Sequence, residues 1–284
     1  MKVATYERAS DFLDVALDPL LQEEEKNNLI LGIALRVREG RSYGQGEPLF
    51  LTLHDENTLI AAAIRTPPYN MILHCQQNRL DALDAIATHL IQTGHPIPGV
   101  NGTVEVASAF AECWKRQTGQ ASYVRMSQRI YTLTEVSTPT TVSGHMRWAE
   151  EEDVATLSTW FLGFCDEAVP DAPPANPEEN VRQFMTAGKL AVWDDGGMVS
   201  MTGSSRGTPN GTTVSAVYTP PEHRGKGYAS GCVAALSQWL LDDGNRFCTL
   251  YTDLSNPTSN KIYQNIGYRP MVDCSMIMLG AARE

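Results

Sequence analysis

The sequence predicts an α+β protein made of two halves, each with a mixed, mostly antiparallel central sheet flanked by helices. Three observations lead there. Strand-like and helix-like segments follow one another in much the same order on either side of the Ser/Thr/Pro-rich stretch Thr134–Gly144. Turn-forming clusters, Asp55-Glu56-Asn57 and Asp195-Gly196-Gly197, join neighbouring strand-like runs into hairpins. The chain of 284 residues is long enough for two domains at roughly 100–200 residues each. The expected division is a first domain over 1–135, a linker over 136–144 and a second domain over 145–284.

In the first half, Leu13–Leu17 and Leu20–Leu35 carry helical patterning. Leu49–Leu53 and Leu59–Arg65 read as a hairpin, and Tyr69–His74 as a third strand. Leu80, Leu83, Ile86, Leu90 and Ile91 fall at helical spacing, and Gly94 stops that helix. A helix over Val106–Thr118, ended by Gly119, precedes a strand around Tyr123–Leu133. The prolines of Thr66-Pro-Pro-Tyr-Asn70 read as a bend.

After the linker the order returns. Met146–Ala149 starts a strand, and Glu151–Phe164 and Pro177–Ala187 read as helices. Lys189–Trp193 and Met198–Ser204 form a hairpin, and Thr212–Thr219 a third strand. Tyr228–Leu241 is a helix, Phe247–Thr252 a strand, Pro257–Ile266 a helix and Met271–Leu279 a closing strand. The strand between the last two helices has no visible counterpart in the first half.

A hydrophobic content of 42% with 19% charged residues is that of a globular chain rather than a disordered or fibrous one. The amino terminus has no apolar run followed by a small-residue cleavage site, so it reads as neither secretory signal nor anchor. No apolar stretch approaches the ~20 residues that span a bilayer. Six scattered cysteines, without a Cys-x-x-Cys pair, argue against a zinc site or a disulfide framework, and for small buried hydrophobes in a reducing cytoplasm. A net charge of −11 argues against nucleic acid, which needs a basic footprint. It suits a cationic acceptor, although solubility alone also accounts for it.

The chemistry concentrates in Val217-Tyr-Thr-Pro-Pro-Glu-His-Arg224-Gly-Lys-Gly-Tyr-Ala229. A strand ends, two prolines stop it, and Gly225 and Gly227 lead into an amphipathic helix. Glycine permits positive φ and close backbone approach, and the first helical turn offers unpaired N–H groups and the positive end of a dipole. That combination suits a pyrophosphate. A Walker A loop is excluded because Gly-x-x-x-x-Gly-Lys-Ser/Thr is missing. A dinucleotide fingerprint is disfavoured because its third glycine is Ser230 and the acidic pair Asp242 and Asp243 lies at a helix end. A glycine-rich turn without a ligand is the alternative for an isolated Arg-Gly-Lys-Gly.

Further on stands Asn256-Pro-Thr-Ser-Asn-Lys-Ile-Tyr263-Gln-Asn-Ile-Gly267-Tyr268. With it the chain resembles the GNAT superfamily of N-acetyltransferases over about Gly144–Leu279. Arg224-Gly225-Lys226-Gly227-Tyr228-Ala229 matches the family's Gln/Arg-x-x-Gly-x-Gly/Ala signature. Asn256, Tyr263, Gly267 and Tyr268 match its downstream motif, one helix and one strand later. The first half resembles a GNAT copy that lacks the pyrophosphate loop, because His74-Cys-Gln-Gln-Asn-Arg79 replaces the glycines.

The resemblance implies acetyl-CoA as cosubstrate, no metal, and a small-molecule or peptide amine as acceptor. Backbone groups of Val217, Tyr218 and Thr219 would bond the pantetheine arm. The loop from Arg224 and Gly225 through Lys226, Gly227, Tyr228 and Ala229 to Ser230 would hold the pyrophosphate. Asn256 would bond the cofactor arm, with Ser259 and Asn260 nearby. Tyr263 would protonate the leaving thiolate, with core packing as its alternative role. For the base that takes the ammonium proton, Glu167 is the candidate; Glu178, Glu179, Asp253, His223 and ordered water stay open. A rival reading is a non-catalytic acyl-CoA sensor or scaffold. The acceptor could also be a protein amino terminus or an aminoacyl conjugate.

Overall fold

The computed structural model describes residues 1–41, 46–76, 79, 81–137, 142–168 and 176–281. Its elements, in order, are β1 (Lys2–Tyr6), α1 (Ala9–Leu21), α2 (Asn28–Arg38), β2 (Leu49–Asp55), β3 (Thr58–Arg65), β4 (Met71–Cys75), α3 (Asp81–Gln92), β5 (Gly99–Thr103), α4 (Val104–Thr118) and β6 (Ser122–Leu133). The second series is β7 (His145–Trp148), α5 (Val154–Ala168), α6 (Pro177–Thr186), β8 (Leu190–Asp194), β9 (Met198–Ser205), β10 (Gly211–Tyr218), α7 (Tyr228–Asp242), β11 (Phe247–Asp253), α8 (Pro257–Ile266) and β12 (Arg269–Leu279). The two series match element for element.

Two strands have no counterpart in the sequence reading. One is β1, whose five residues pair antiparallel with β2 from Lys2↔His54 to Tyr6↔Phe50. The other is β5, the missing partner of β11. Its Gly99 and Gly102 weaken any strand signal, yet the packing explains Gly99. A Cβ there would lie 2.5 Å from the Ile277 carbonyl and 2.8 Å from Asn70 Oδ1.

Contacts divide the chain into Met1–Ile130 with Met271–Glu284, and Tyr131–Pro270. The closing strand, expected within 145–284, therefore completes the first unit: β12 runs antiparallel to β5 from Cys274↔Thr103 to Met278↔Gly99. Of the expected linker, residues 138–141 lie outside the described residues. Its two ends are tied down, by Ser137 N–H to the Ile266 carbonyl and by the Ser143 carbonyl accepting from Trp193 Nε1.

In the first unit both sheet faces are buried, so β2 and β3 read as nearly continuous apolar runs. Phe50, Ala62 and Ile64 pack with Phe12, Leu20 and Leu31 of α1 and α2. Leu51, Ala61 and Ala63 pack with Leu83, Ile86 and Phe110 of α3 and α4. In the second unit Val214 and Leu250 meet α7 and α8 through Leu236, Leu240 and Ile266. On the opposite face Val192 and Met201 meet Leu157 and Trp160 of α5 and Val181 of α6. All six cysteines are buried free thiols. Among the described residues, no helix is long and apolar enough to cross a membrane, and no group of His, Cys, Asp and Glu could hold a metal.

Candidate cofactor cleft of the second unit

The cleft begins where β10 leaves its neighbour. β10 and β11 pair in parallel over Gly211↔Phe247, Thr212↔Cys248 and Thr213↔Thr249 only, although β10 runs on to Tyr218 and β11 to Asp253. On the other edge of β10 the register to β9 jumps from Ser215↔Gly203 to Tyr218↔Met201. Two residues, Ala216 and Val217, thus face one, and this bulge turns the strand away from β11. Ala216 sits at φ 52, a left-handed conformation that costs a non-glycine residue about 1–2 kcal/mol. The strain lies at the opening. Two carbonyls at the strand end are already engaged: Tyr218 accepts from Ser200 Oγ at 3.0 Å and Thr219 from Arg224 Nε at 2.8 Å.

The loop follows. Gly225 (φ 78) and Gly227 (φ 84) are both left-handed, and Gly227 caps α7 without a side chain. Gly231 N–H is the first of the helix to find an acceptor, the Gly227 carbonyl. Among the described residues, the N–H groups of Gly225, Lys226, Gly227, Tyr228, Ala229 and Ser230 have none. Six consecutive donors at a helix N-terminus form an anion nest. The first turn of α7 also holds no acidic residue.

Arg224 and Lys226 differ in availability. The Arg224 guanidinium donates to Glu167 Oε1 at 2.6 Å and lies 5.7 Å from the Tyr218 ring centre. That hydrogen bond, above all, raises its pKa further. Lys226 has no carboxylate within salt-bridge distance among the described residues, its ammonium standing 6.0 Å from the Tyr228 ring centre. Of the two loop cations, Lys226 is the one without a salt bridge among the described residues. Tyr228 itself is buried, and its hydroxyl points to the β8–β9 turn, so only its N–H faces the nest.

On α8, Asn256 caps the helix by accepting from Ser259 N–H at 3.0 Å. Asn260 uses both amide hydrogens inside the protein, on the carbonyls of Asp253 and Asn256, and accepts from Tyr131. Tyr263 is buried against Tyr268, ring centres 6.0 Å apart. Burial pushes its phenol up to about 12. The hydroxyl has no hydrogen-bond partner among the described residues. It is also not among the sealed, unpartnered side-chain oxygens, which are Thr202 Oγ1 and Ser204 Oγ.

The candidate bases are placed less favourably. Glu167 is held by Arg224; Glu178 and Glu179 are exposed and bonded to Arg182 and Gln183. Asp253 accepts from Ser255 N–H, and His223 lies in a 3-10 turn before the loop. Three contributors were invisible in the sequence: Ser200, which holds the β10 end, and Asp195 and Ser143, which hold Tyr228. Asp195 read only as a hairpin residue, and no local spacing links it to Tyr228.

The first unit repeats the short parallel pairing. β4 and β5 pair in parallel only at Met71↔Val100 and Ile72↔Asn101. Asp81 and Asp84 occupy the first turn of α3, where a phosphate would meet negative charge, and Arg79 is tied to Asp55 and Asp81. Gln77 and Asn78 of the replaced loop lie outside the described residues.

Residues 197–277, which span the loop, α8 and most of β12, match the family model described as FR47-like protein. A GCN5-related N-acetyltransferase from Sphaerobacter thermophilus is similar across 99% of this chain and 98% of its own, with TM-score 0.63 and 15% identity. A tandem GNAT protein from the clavulanic acid biosynthesis pathway covers 100% of both chains, with TM-score 0.60 and 12% identity. A GNAT-family acetyltransferase from Colwellia psychrerythraea covers 98% of this chain and 99% of its own, with TM-score 0.58 and 13% identity. No curated protein matches the chain. The whole chain thus carries the GNAT fold in tandem.

Proposed function

We propose that the second unit binds acetyl-CoA and transfers its acetyl group to a primary amine by direct attack. The observation that carries this reading is the nest of six N–H donors opening beside the gap between β10 and β11. Gly225 to Ser230 fit a pyrophosphate, Lys226 adds charge, and Val217 offers backbone groups to the pantetheine arm. Tyr218 and Thr219 flank that arm, Asn256 keeps its amide hydrogens for it, and Ser259 and Asn260 shape the nearby helix end.

The bound thioester supplies an activated acyl carbon. The acceptor ammonium first loses a proton to water, since its pKa lies near ~10. The nitrogen then bonds to the acyl carbon, and an N–H near Val217 donates to the oxyanion. As the C–S bond breaks, its electron pair stays on sulfur, which takes the Tyr263 proton; water restores the phenol and removes the second amine proton. At about 12, Tyr263 is a poor acid toward an exposed thiol near ~8.5. Burial raises thiols as well, however: Cys248, in the same core, is pushed up to about 12. A leaving sulfur equally shielded from water would be a matched acceptor.

One observation favours the alternative, an acyl-CoA sensor without turnover: the carboxylates of Glu167, Glu178 and Glu179 are all engaged. Water as the proton acceptor answers it. Thiol release measured over an amine library, beside calorimetry with coenzyme A, separates the two. Saturable binding with no release from any amine identifies a sensor. Absence of binding removes both.

A further inference from the structure

We infer that Glu167 and Arg224 form a latch between α5 and the glycine loop: the carboxylate occupies the guanidinium in the free protein, and a cofactor phosphate displaces it, releasing the last turn of α5. The inference rests on the acyl-CoA-binding reading above and names a regulation of that same site.

The latch is built on one side of α5. Gly163 and Glu167 stand four residues apart and so face the same way. Gly163 is seated on the end of β10, where an added Cβ would lie 2.5 Å from the Tyr218 hydroxyl oxygen. One turn on, Glu167 Oε1 accepts from Arg224 at 2.6 Å. The same guanidinium stands 5.7 Å from the centre of the Tyr218 ring. The end of α5 is thus fastened to the residue that opens the glycine loop.

The helix end needs this cation. Unpaired carbonyls give a helix C-terminus partial negative charge, which favours Lys, Arg or His in the last turn. α5 has no basic residue there and carries Asp166 and Glu167 instead. Arg224 supplies from the loop the charge that the helix lacks.

A bound phosphate calls on the same group. Arg224 directly precedes the anion nest, and a guanidinium offers carboxylate and phosphate the same fork of N–H donors, so the two anions compete for it. Its Nε bond to the Thr219 carbonyl, 2.8 Å, can persist as a pivot while the terminal nitrogens turn from Glu167 to phosphate. α5 then keeps two acidic residues at its negative end without the cation that held them. The side chains of the pair are 45% and 57% exposed, so the latch is weak enough to open; a surface pair of this kind is worth roughly a two- to fivefold change in an equilibrium.

Calorimetry with coenzyme A on the full chain tests the competition. Glu167→Gln should bind roughly two- to fivefold tighter than wild type, and the gain should vanish in an Arg224→Gln background. Affinity of Glu167→Gln at or below wild type overturns the latch. A gain that persists without Arg224 overturns it as well, because the carboxylate then acts by plain repulsion of the phosphates. Hydrogen exchange on the wild type decides independently of any variant. Saturating coenzyme A should slow the amides of 225–231 and speed those of 164–168. Slowed or unchanged exchange at 164–168 overturns the release of α5. Absence of coenzyme A binding by the wild type is a different failure: it removes the acyl-CoA reading, and the latch with it.

Discussion

The Tyr228 hydroxyl donates to Asp195 Oδ2 at 2.6 Å and fastens the first residue of α7 to the β8–β9 turn. Ser143 Oγ donates to the same carboxylate oxygen at 2.8 Å, and the Ser143 carbonyl accepts from Trp193 Nε1. These bonds hold the start of the helix while its N–H groups stay unpaired. Trp193 fits beneath α7 because Gly231 has no side chain; a Cβ there would lie 3.0 Å from the indole.

Removing that fastening should loosen the nest without emptying it. Tyr228→Phe keeps the ring and deletes the bond to Asp195, and coenzyme A affinity should fall several-fold with little change in thermal midpoint. Asp195→Asn should act in the same direction. The Tyr228 hydroxyl, ahead of Ser143, holds the Asp195 carboxyl below its usual range. A depressed carboxyl keeps its contribution above the ordinary carboxylate range and loses it as pH falls through the lowered value. The fastening therefore persists between pH 5 and 8. Affinities of Tyr228→Phe equal to wild type by calorimetry would remove this network from the site.

Gly227→Asp should be more damaging. The residue sits at φ 84, and its added Cβ would meet Val142 Cγ2 at 3.1 Å. The carboxylate would also bring negative charge to the anion nest. Binding should weaken by at least several-fold, while Gly225→Asp, in open space, should suffer from charge and backbone conformation alone. Calorimetry on folded variants checks the order.

In the first unit, His74 Nδ1 lies 2.8 Å from Asn27 Oδ1, and Asn27 donates its amide to the Leu20 carbonyl. The imidazole therefore gives its Nδ1 hydrogen to Asn27. Burial lowers the pKa of His74 from 6.5 to about 4. Between those values the unfolded chain holds the proton and the folded one does not, so stability falls as pH drops. The loss is complete near pH 4, at about 3 kcal/mol. Urea midpoints should decline from pH 7 to 4, and the decline should shrink in His74→Gln.

Much of the second unit was legible because its signals are local. The prolines before Arg224, the glycines at 225 and 227, and the spacing from Asn256 to Tyr263 and Gly267 all lie within single loops or helices. What escaped was set by distant packing. β5 escaped because Gly99 answers to Ile277 and Asn70, far away in sequence. The partner of β12 escaped because nothing in Met271–Leu279 states that β5 is its neighbour. Asp195 escaped because the Tyr228 hydroxyl reaches it across 33 residues. Availability was hidden too: Arg224 looked like a phosphate ligand, but Glu167 and the Thr219 carbonyl hold it.

Tyr263→Phe separates a catalytic phenol from a packing ring. The substitution keeps the aromatic contact with Tyr268 and removes a hydroxyl that has no partner among the described residues, so the thermal midpoint should barely move. Coenzyme A affinity should also hold, since the hydroxyl is proposed to act on sulfur only as the C–S bond breaks. Turnover at saturating acetyl-CoA should then drop roughly 10–10⁴-fold, the range of general acid catalysis. The pH profile adds a second readout. With the phenol at about 12, wild-type activity should rise as the amine loses its proton, and a basic decline should wait until the phenol itself ionises. If Tyr263 only packs, the Phe variant keeps wild-type rates and the same profile, and the thiolate leaves with a proton from water. If coenzyme A binding is lost instead, the hydroxyl belongs to cofactor recognition. A large fall in turnover at unchanged affinity is the result that assigns Tyr263 to the leaving group.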